Sequence, residues 1–105
     1  MDQLPARDID GSLLDRNCWN EDCAVRLARE DGVDIGERHF EILRLLRAWH
    51  GRHEHSPAMR ALVSAVRREL GPEKGRSIYL LELFPGSPAR LAARWAGLPK
   101  PEHCL

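Results

Sequence analysis

The sequence lacks any apolar run near the roughly 18 residues that a membrane helix needs. It has no glycine-rich phosphate loop, no Ser-His-Asp order and no paired-carboxylate spacing above chance, so nothing supports a nucleotide-binding or hydrolytic site. There is no internal repeat and no low-complexity stretch. The opening, Met1-Asp2-Gln3-Leu4-Pro5, carries neither a basic leader nor an apolar h-region, which predicts a cytoplasmic protein. The formal net charge is zero, without the basic excess of a dedicated nucleic-acid binder. Cysteine is scarce and odd in number: Cys18, Cys23 and Cys104 argue against a disulfide scaffold and for reduced thiols.

What is present is one domain's worth of ordinary globular sequence. The chain has 105 residues, 43% hydrophobic and 30% charged, enough for a single core. Its neutrality hides an asymmetry. Residues 1–55 hold 8 Lys/Arg against 12 Asp/Glu, a net of −4, and residues 56–105 hold 8 against 4, a net of +4.

Helical signals dominate. Asp10-Gly11 predicts a tight turn in a small N-terminal β-hairpin. Asn20 reads as an N-cap for a helix to about Asp31, with Glu21 and Asp22 in its first turn and Cys23 or Ala24, Leu27 and Ala28 inward. Phe40, Leu43, Leu46 and Trp49, flanked by Ile42 and Leu45, make the broadest amphipathic stripe, from near Gly36 to Gly51. Ser56-Pro57 predicts a cap and first-turn proline for a third helix burying Met59, Leu62, Val63, Val66 and Leu70, with Gly71-Pro72 as its stop. A short helix is expected from Ser77 to Phe84, and Ser87-Pro88 opens a last one through Leu91, Ala92 and Trp95. The expected fold is mainly α: a compact bundle of about five helices with an N-terminal β-hairpin and an extended C-terminal arm. The expected division is a helical domain, 1–97, and a mobile arm, 98–105.

That arm holds the sharpest chemical signal. Pro99 and Pro101 exclude helix and central strand, and seven extended steps from Gly97 to Cys104 span roughly 23 Å. Cys104 reads either as a nucleophile delivered to a sulfane sulfur or as a surface cysteine in a frayed tail. Lys100 and His103 favour its thiolate, while Glu102 and the terminal carboxylate oppose it. The C-x4-C pair Cys18/Cys23 has no matching second pair for a metal. With His50, His53 and His55 it makes at most a mixed site, and those histidines are expected on a solvated helix end and loop. Helices two and three also permit a helix-turn-helix reading with Arg60, Arg67 and Arg68, but Glu69 interrupts that basic run. Trp19, Trp49 and Trp95 are expected in or beside the core.

Several segments together resemble the TusE/DsrC family of sulfur-relay proteins. They are Gly71-Pro72-Glu73-Lys74-Gly75, Ser77, Tyr79-Leu80, Glu82-Leu83-Phe84-Pro85, Pro88-Ala89, and Ala96-Gly97-Leu98-Pro99-Lys100-Pro101 ending in Cys104. Upstream, Gly11, Leu13, Trp19-Asn20-Glu21, His39, Ile42, Pro57-Ala58 and Arg60 fall where such proteins have like residues.

The resemblance implies that Cys104 carries sulfur as a covalent persulfide with no other cofactor. Lys100 and His103 would tune it, and Arg60 would contact the arm or a partner. Ala93 stands where the DsrC branch has a second cysteine, Ser64 where a lysine is common, and Phe40 where a tryptophan is common. A single arm cysteine resembles the TusE type. This implies a TusBCD-like sulfur donor and an MnmA-like tRNA thiolase as acceptor, without membrane association or direct nucleic-acid binding. The alternatives are a DsrC-like place among sulfur-oxidation proteins and a non-catalytic helix-turn-helix-like regulator.

Overall fold

In the computed structural model, which describes residues 4–9 and 11–101, a single 3₁₀ turn (Arg16–Cys18) precedes five α-helices. These are α1 (Glu21–Glu30), α2 (Glu37–His53), α3 (Met59–Leu70), α4 (Ser77–Leu83) and α5 (Pro88–Trp95). The Asn20 side chain caps α1 by accepting from the Cys23 N–H at 2.9 Å, and Cys23, Ala24, Leu27 and Ala28 are buried.

The expected N-terminal β-hairpin is not formed: no strand exists among the described residues. What occurs is one isolated antiparallel bridge between Arg7 and Leu13. The Asp8 N–H donates to Ser12 O at 2.8 Å and the Leu14 N–H to Ala6 O at 3.0 Å. Two short flanks, one beginning just after Pro5, are too little ladder for a stable ribbon. Arg7 and Leu13 tie this loop down instead: Arg7 pairs with Glu30 through its two terminal guanidinium nitrogens, and Leu13 joins the core. Asp10 of the predicted turn lies outside the described residues.

α5 is the organising element and touches each of the other four helices. Its inward residues are small, with Ala89, Ala92 and Ala93 buried, so neighbouring backbones approach closely. Trp95 then fills the centre. It is fully buried against Phe84 at 5.2 Å between rings, and its indole N–H donates to Asp31 at the end of α1 at 2.7 Å. A second close approach joins α3 to the turn before α4, where a Cβ on Gly75 would lie 2.3 Å from Arg67 Cα. Lys74 in that turn pairs with Glu41 of α2 at 2.7 Å.

Two local expectations shift. α2 runs to His53, and its buried positions are Ile42, Leu43, Leu46 and His50, so the stripe is rotated from Phe40 and Trp49 toward His50. Ser56 does not cap α3. Ala58 occupies the cap position, because the Ser56 hydroxyl is buried and donates to Pro99 O.

His39 couples this fold to pH. Its Nδ1 accepts from the Gly36 N–H at 3.1 Å, and Nε2 faces Leu83 O at 3.0 Å. These contacts use the neutral ring with its proton on Nε2. Burial lowers the pKa, the bond to Leu83 opposes this, and Arg38 lowers it further. A folded-state value below the unfolded one means that the unfolded chain binds the proton first. Stability is therefore present above the unfolded value of about 6.5 and falls as pH drops through it. Denaturation midpoints between pH 8 and pH 5 should fall with uptake of up to about one proton per depressed histidine. The His39→Gln variant should lose its share of that slope.

Candidate functional site at the root of the C-terminal segment

The chain leaves α5 through a tightly fixed corner. Gly97 takes a left-handed conformation, φ +74°. Its N–H donates to Arg94 O at 3.1 Å, and the Leu98 N–H reaches back to Ala93 O at 2.9 Å. This double closure ends the helix and turns Leu98 into the core, where it is 1% exposed.

Three side chains then hold the emerging backbone. The Trp19 indole donates to Trp95 O at 2.8 Å, Arg47 of α2 donates to Ala96 O at 2.6 Å, and Ser56 donates to Pro99 O. Arg47 also donates to Arg16 O at 3.0 Å and lies over the Trp19 ring, 4.4 Å from its centroid. Burial, with Arg16 nearby, lowers the Arg47 pKa, though a guanidinium stays charged at any physiological pH. Pro101 is buried, while Pro99 and Lys100 are exposed.

The Ala96 carbonyl belongs to a fully buried residue, so Arg47→Ala orphans an acceptor as well as removing a cation from the Trp19 face. The expected loss is about 2 kcal/mol, read as a denaturation midpoint. Arg47→Lys should recover only part of it, since one ammonium cannot reproduce the planar fork.

A cavity of about 240 Å³ adjoins this corner, lined by Asp8, Leu13, Leu14, Arg16, His50, Gly97 and Pro99. His50 is thus not on a solvated helix end as expected: it is 5% exposed, and its Nδ1 has no hydrogen-bond partner among the described residues. It sits eight residues after Ile42 and four after Leu46, on the buried stripe. That spacing was visible in the sequence. His53 and His55 are exposed; the His53 ring lies 4.0 Å from that of Trp49.

The other candidates are scattered. Arg60 lies exposed in the first turn of α3. Arg67 donates to Gly75 O at 3.2 Å and Arg68 pairs with Glu69 at 3.3 Å, so both are engaged within the molecule rather than in an open basic row. His103 and Cys104 lie outside the described residues.

Cys18 is exposed and Cys23 buried, both free. The Cys23 Sγ is 3.9 Å from Cys18 O. The Asp15 carboxylate, first among the causes, raises the Cys18 pKa and so disfavours its thiolate. No group of three or more His, Cys, Asp or Glu among the described residues could hold a metal ion. No helix among them is long and apolar enough to cross a membrane.

A small helical body that grips the start of a cysteine-bearing terminal segment is the build of a carrier protein. The comparisons agree. The family model described as DsrC like protein matches residues 2–105. The "Sulfurtransferase TusE" of Pectobacterium atrosepticum is 43% identical over 95% of this chain and 92% of its own. The "Sulfurtransferase TusE homolog" of Haemophilus influenzae is 43% identical over 93% and 90%. Among solved structures, Allochromatium vinosum DsrC superposes with a TM-score of 0.86 at 42% identity, covering 95% of this chain and 89% of that one. The oxidized gamma-subunit of the dissimilatory sulfite reductase (DsrC) from Archaeoglobus fulgidus gives 0.81 at 35% identity, covering 96% and 92%.

The chain belongs to the DsrC-like family. It is a sulfur-relay carrier, a sulfurtransferase whose fold these relatives share.

Proposed function

We propose that Cys104 is the carrier thiol, and that the relay ends in 2-thiolation of the wobble uridine of tRNA. The observation that carries this reading is the single arm cysteine. Position 93, where the DsrC branch places a second thiol, is a buried alanine of α5, so an intramolecular arm disulfide through that position is not available. One thiol suits a relay that passes sulfur on without oxidising it. The relatives named TusE favour the tRNA branch.

The chemistry is two displacements at sulfur. The Cys104 thiolate attacks the terminal sulfur of a donor persulfide. A new S–S bond forms on Cys104, the donor's S–S bond breaks, and the donor departs as a thiolate. An acceptor cysteine repeats the exchange and leaves Cys104 as the thiolate. No net oxidation occurs and no cofactor is needed. A TusBCD-like complex fits the donor role and an MnmA-like tRNA thiolase the acceptor role. Lys100, His103 and Arg60 supply positive charge for ionisation or docking, and the exchange takes place in the cytoplasm.

Location of the transferred sulfur tests the assignment. After incubation with a persulfide donor, peptide mass spectrometry should find one added, reductant-labile sulfur on the Cys104 peptide and none on the Cys18 or Cys23 peptides. Sulfur on either of those alone would overturn it. The likeness to Allochromatium vinosum DsrC supports a second reading, sulfur trafficking in sulfur oxidation. Discharge to a sulfur-oxidation partner but not to a tRNA thiolase would select it.

A further inference from the structure

Two thiols stand outside the relay, and both line one cavity of about 190 Å³. Cys18 ends the 3₁₀ turn and is exposed, while Cys23 is the third residue of α1 and is buried. The Cys23 Sγ lies 3.9 Å from Cys18 O. We propose that Cys18 and Cys23 are a redox pair that closes to an intrachain disulfide, and that Trp19 transmits this closure to the root of the C-terminal segment. The proposal is independent of which thiol carries sulfur.

A carbonyl oxygen stands about 2.4 Å from its own Cα, so the Cys18 Cα is within roughly 6 Å of the Cys23 sulfur. The Asp15 carboxylate raises the Cys18 pKa most, and Cys23 is close enough to add to the effect. A disulfide needs its Cα atoms within about 7 Å of each other. Closure therefore asks for a movement of ångströms, and the 3₁₀ turn is the part that yields. It is three residues long and buries none of them. Its closing backbone bond, from the Trp19 N–H to Arg16 O, is long at 3.3 Å. α1 is held by four buried residues and by the Asn20 cap.

The oxidant is a small disulfide such as oxidised glutathione. The Cys18 thiolate attacks one of its sulfurs, forming a mixed disulfide and releasing one glutathione thiolate. Cys23, as its thiolate, attacks the Cys18 sulfur and releases the second. Two protein thiols are oxidised, one glutathione disulfide is reduced to two thiols, and the two protons pass to the departing thiolates.

Trp19 follows Cys18 directly in the chain. Its indole donates to Trp95 O, and its face carries Arg47, which also bonds Arg16 O of the same turn. A turn drawn toward α1 pulls on all three ties. Gly97 lies against that indole so closely that an added Cβ would be 2.6 Å from Trp19 Cδ1, so a displaced ring is felt at the corner.

Cys104→Ser retains only these two thiols, and oxidised glutathione at about pH 8.5, where an ordinary thiol is half ionised, tests them. Peptide mapping should find a Cys18–Cys23 cross-link within a monomer, with alkylation of both cysteines reduced about tenfold and restored by reductant. Adding Cys23→Ser should halt the reaction at a glutathione adduct on Cys18. In amide and indole NMR spectra, the Trp19 indole and Gly97 amide signals should shift on closure, and the Gly75 amide should not. A persistent Cys18–glutathione adduct beside a reduced Cys23, a cross-link between two molecules, or closure that leaves Trp19 and Gly97 unmoved would overturn the proposal.

Discussion

Cys104→Ser should take up no sulfur and pass none on, while its unfolding midpoint stays within about 0.5 kcal/mol of the parent. The exchange needs an anionic sulfur. A thiol with an ordinary pKa near 8.5 supplies a few per cent of thiolate at neutral pH, and a serine hydroxyl supplies none. Neither remaining thiol should rescue the variant: Cys23 is buried, and the Asp15 carboxylate raises the Cys18 pKa. The matched controls run the other way. Cys18→Ser should load normally with unchanged stability, because its side chain is exposed. Cys23→Ser should load normally but lose about 1 kcal/mol, since a more polar group replaces a buried thiol. Parallel loading and melting of the four proteins separates the carrier from the bystanders. Full transfer by Cys104→Ser would show that sulfur travels on another residue.

The sequence shows the helices and hides the ties between them. Asn20, Gly71 and Pro88 act within a turn of their own position, so caps and stops at α1, α3 and α5 are legible as local chemistry. Ser56 carries the same local signal, yet its hydroxyl is taken by Pro99 O, 43 residues away. The Arg47 bond to Ala96 O and the Trp19 bond to Trp95 O span 49 and 76 residues. Nothing local announces an arginine that will serve a distant helix end. The N-terminal segment fails as a hairpin for a related reason: a turn signal specifies a bend, whereas strands need ladder length. His50 was readable in part. Its place on the buried stripe follows from spacing, but proximity to Gly97 and Arg16 follows only from how α2 meets the end of α5 and the 3₁₀ turn before α1. The terminal motif Ala96–Pro101 was legible as a signature before the corner that it builds could be seen.

Gly97→Ala should cost about 3 kcal/mol, more than any other single added methyl at the root of the terminal segment. Two penalties coincide there. A left-handed φ of +74° costs an alanine about 1 kcal/mol. Its Cβ would also lie 2.6 Å from Trp19 Cδ1 and 2.9 Å from Trp19 Cβ and Cγ. Those atoms are not the free end of a flexible chain, and overpacking of this kind adds about 1–3 kcal/mol. Trp19 cannot retreat cheaply, because its indole bonds to Trp95 O and its face carries Arg47. Gly86→Ala isolates the backbone penalty, since Gly86 has φ +90° with nothing within 4 Å of an added Cβ. That variant should lose only about 1 kcal/mol. Denaturant midpoints with equal slopes measure both losses. Equal losses would mean that the Trp19 contact yields without cost and that the corner is held by its backbone alone. A larger loss in Gly97→Ala, with a shifted Trp19 fluorescence, would place the closeness of glycine to indole among the features that fix where the cysteine-bearing segment departs from the fold.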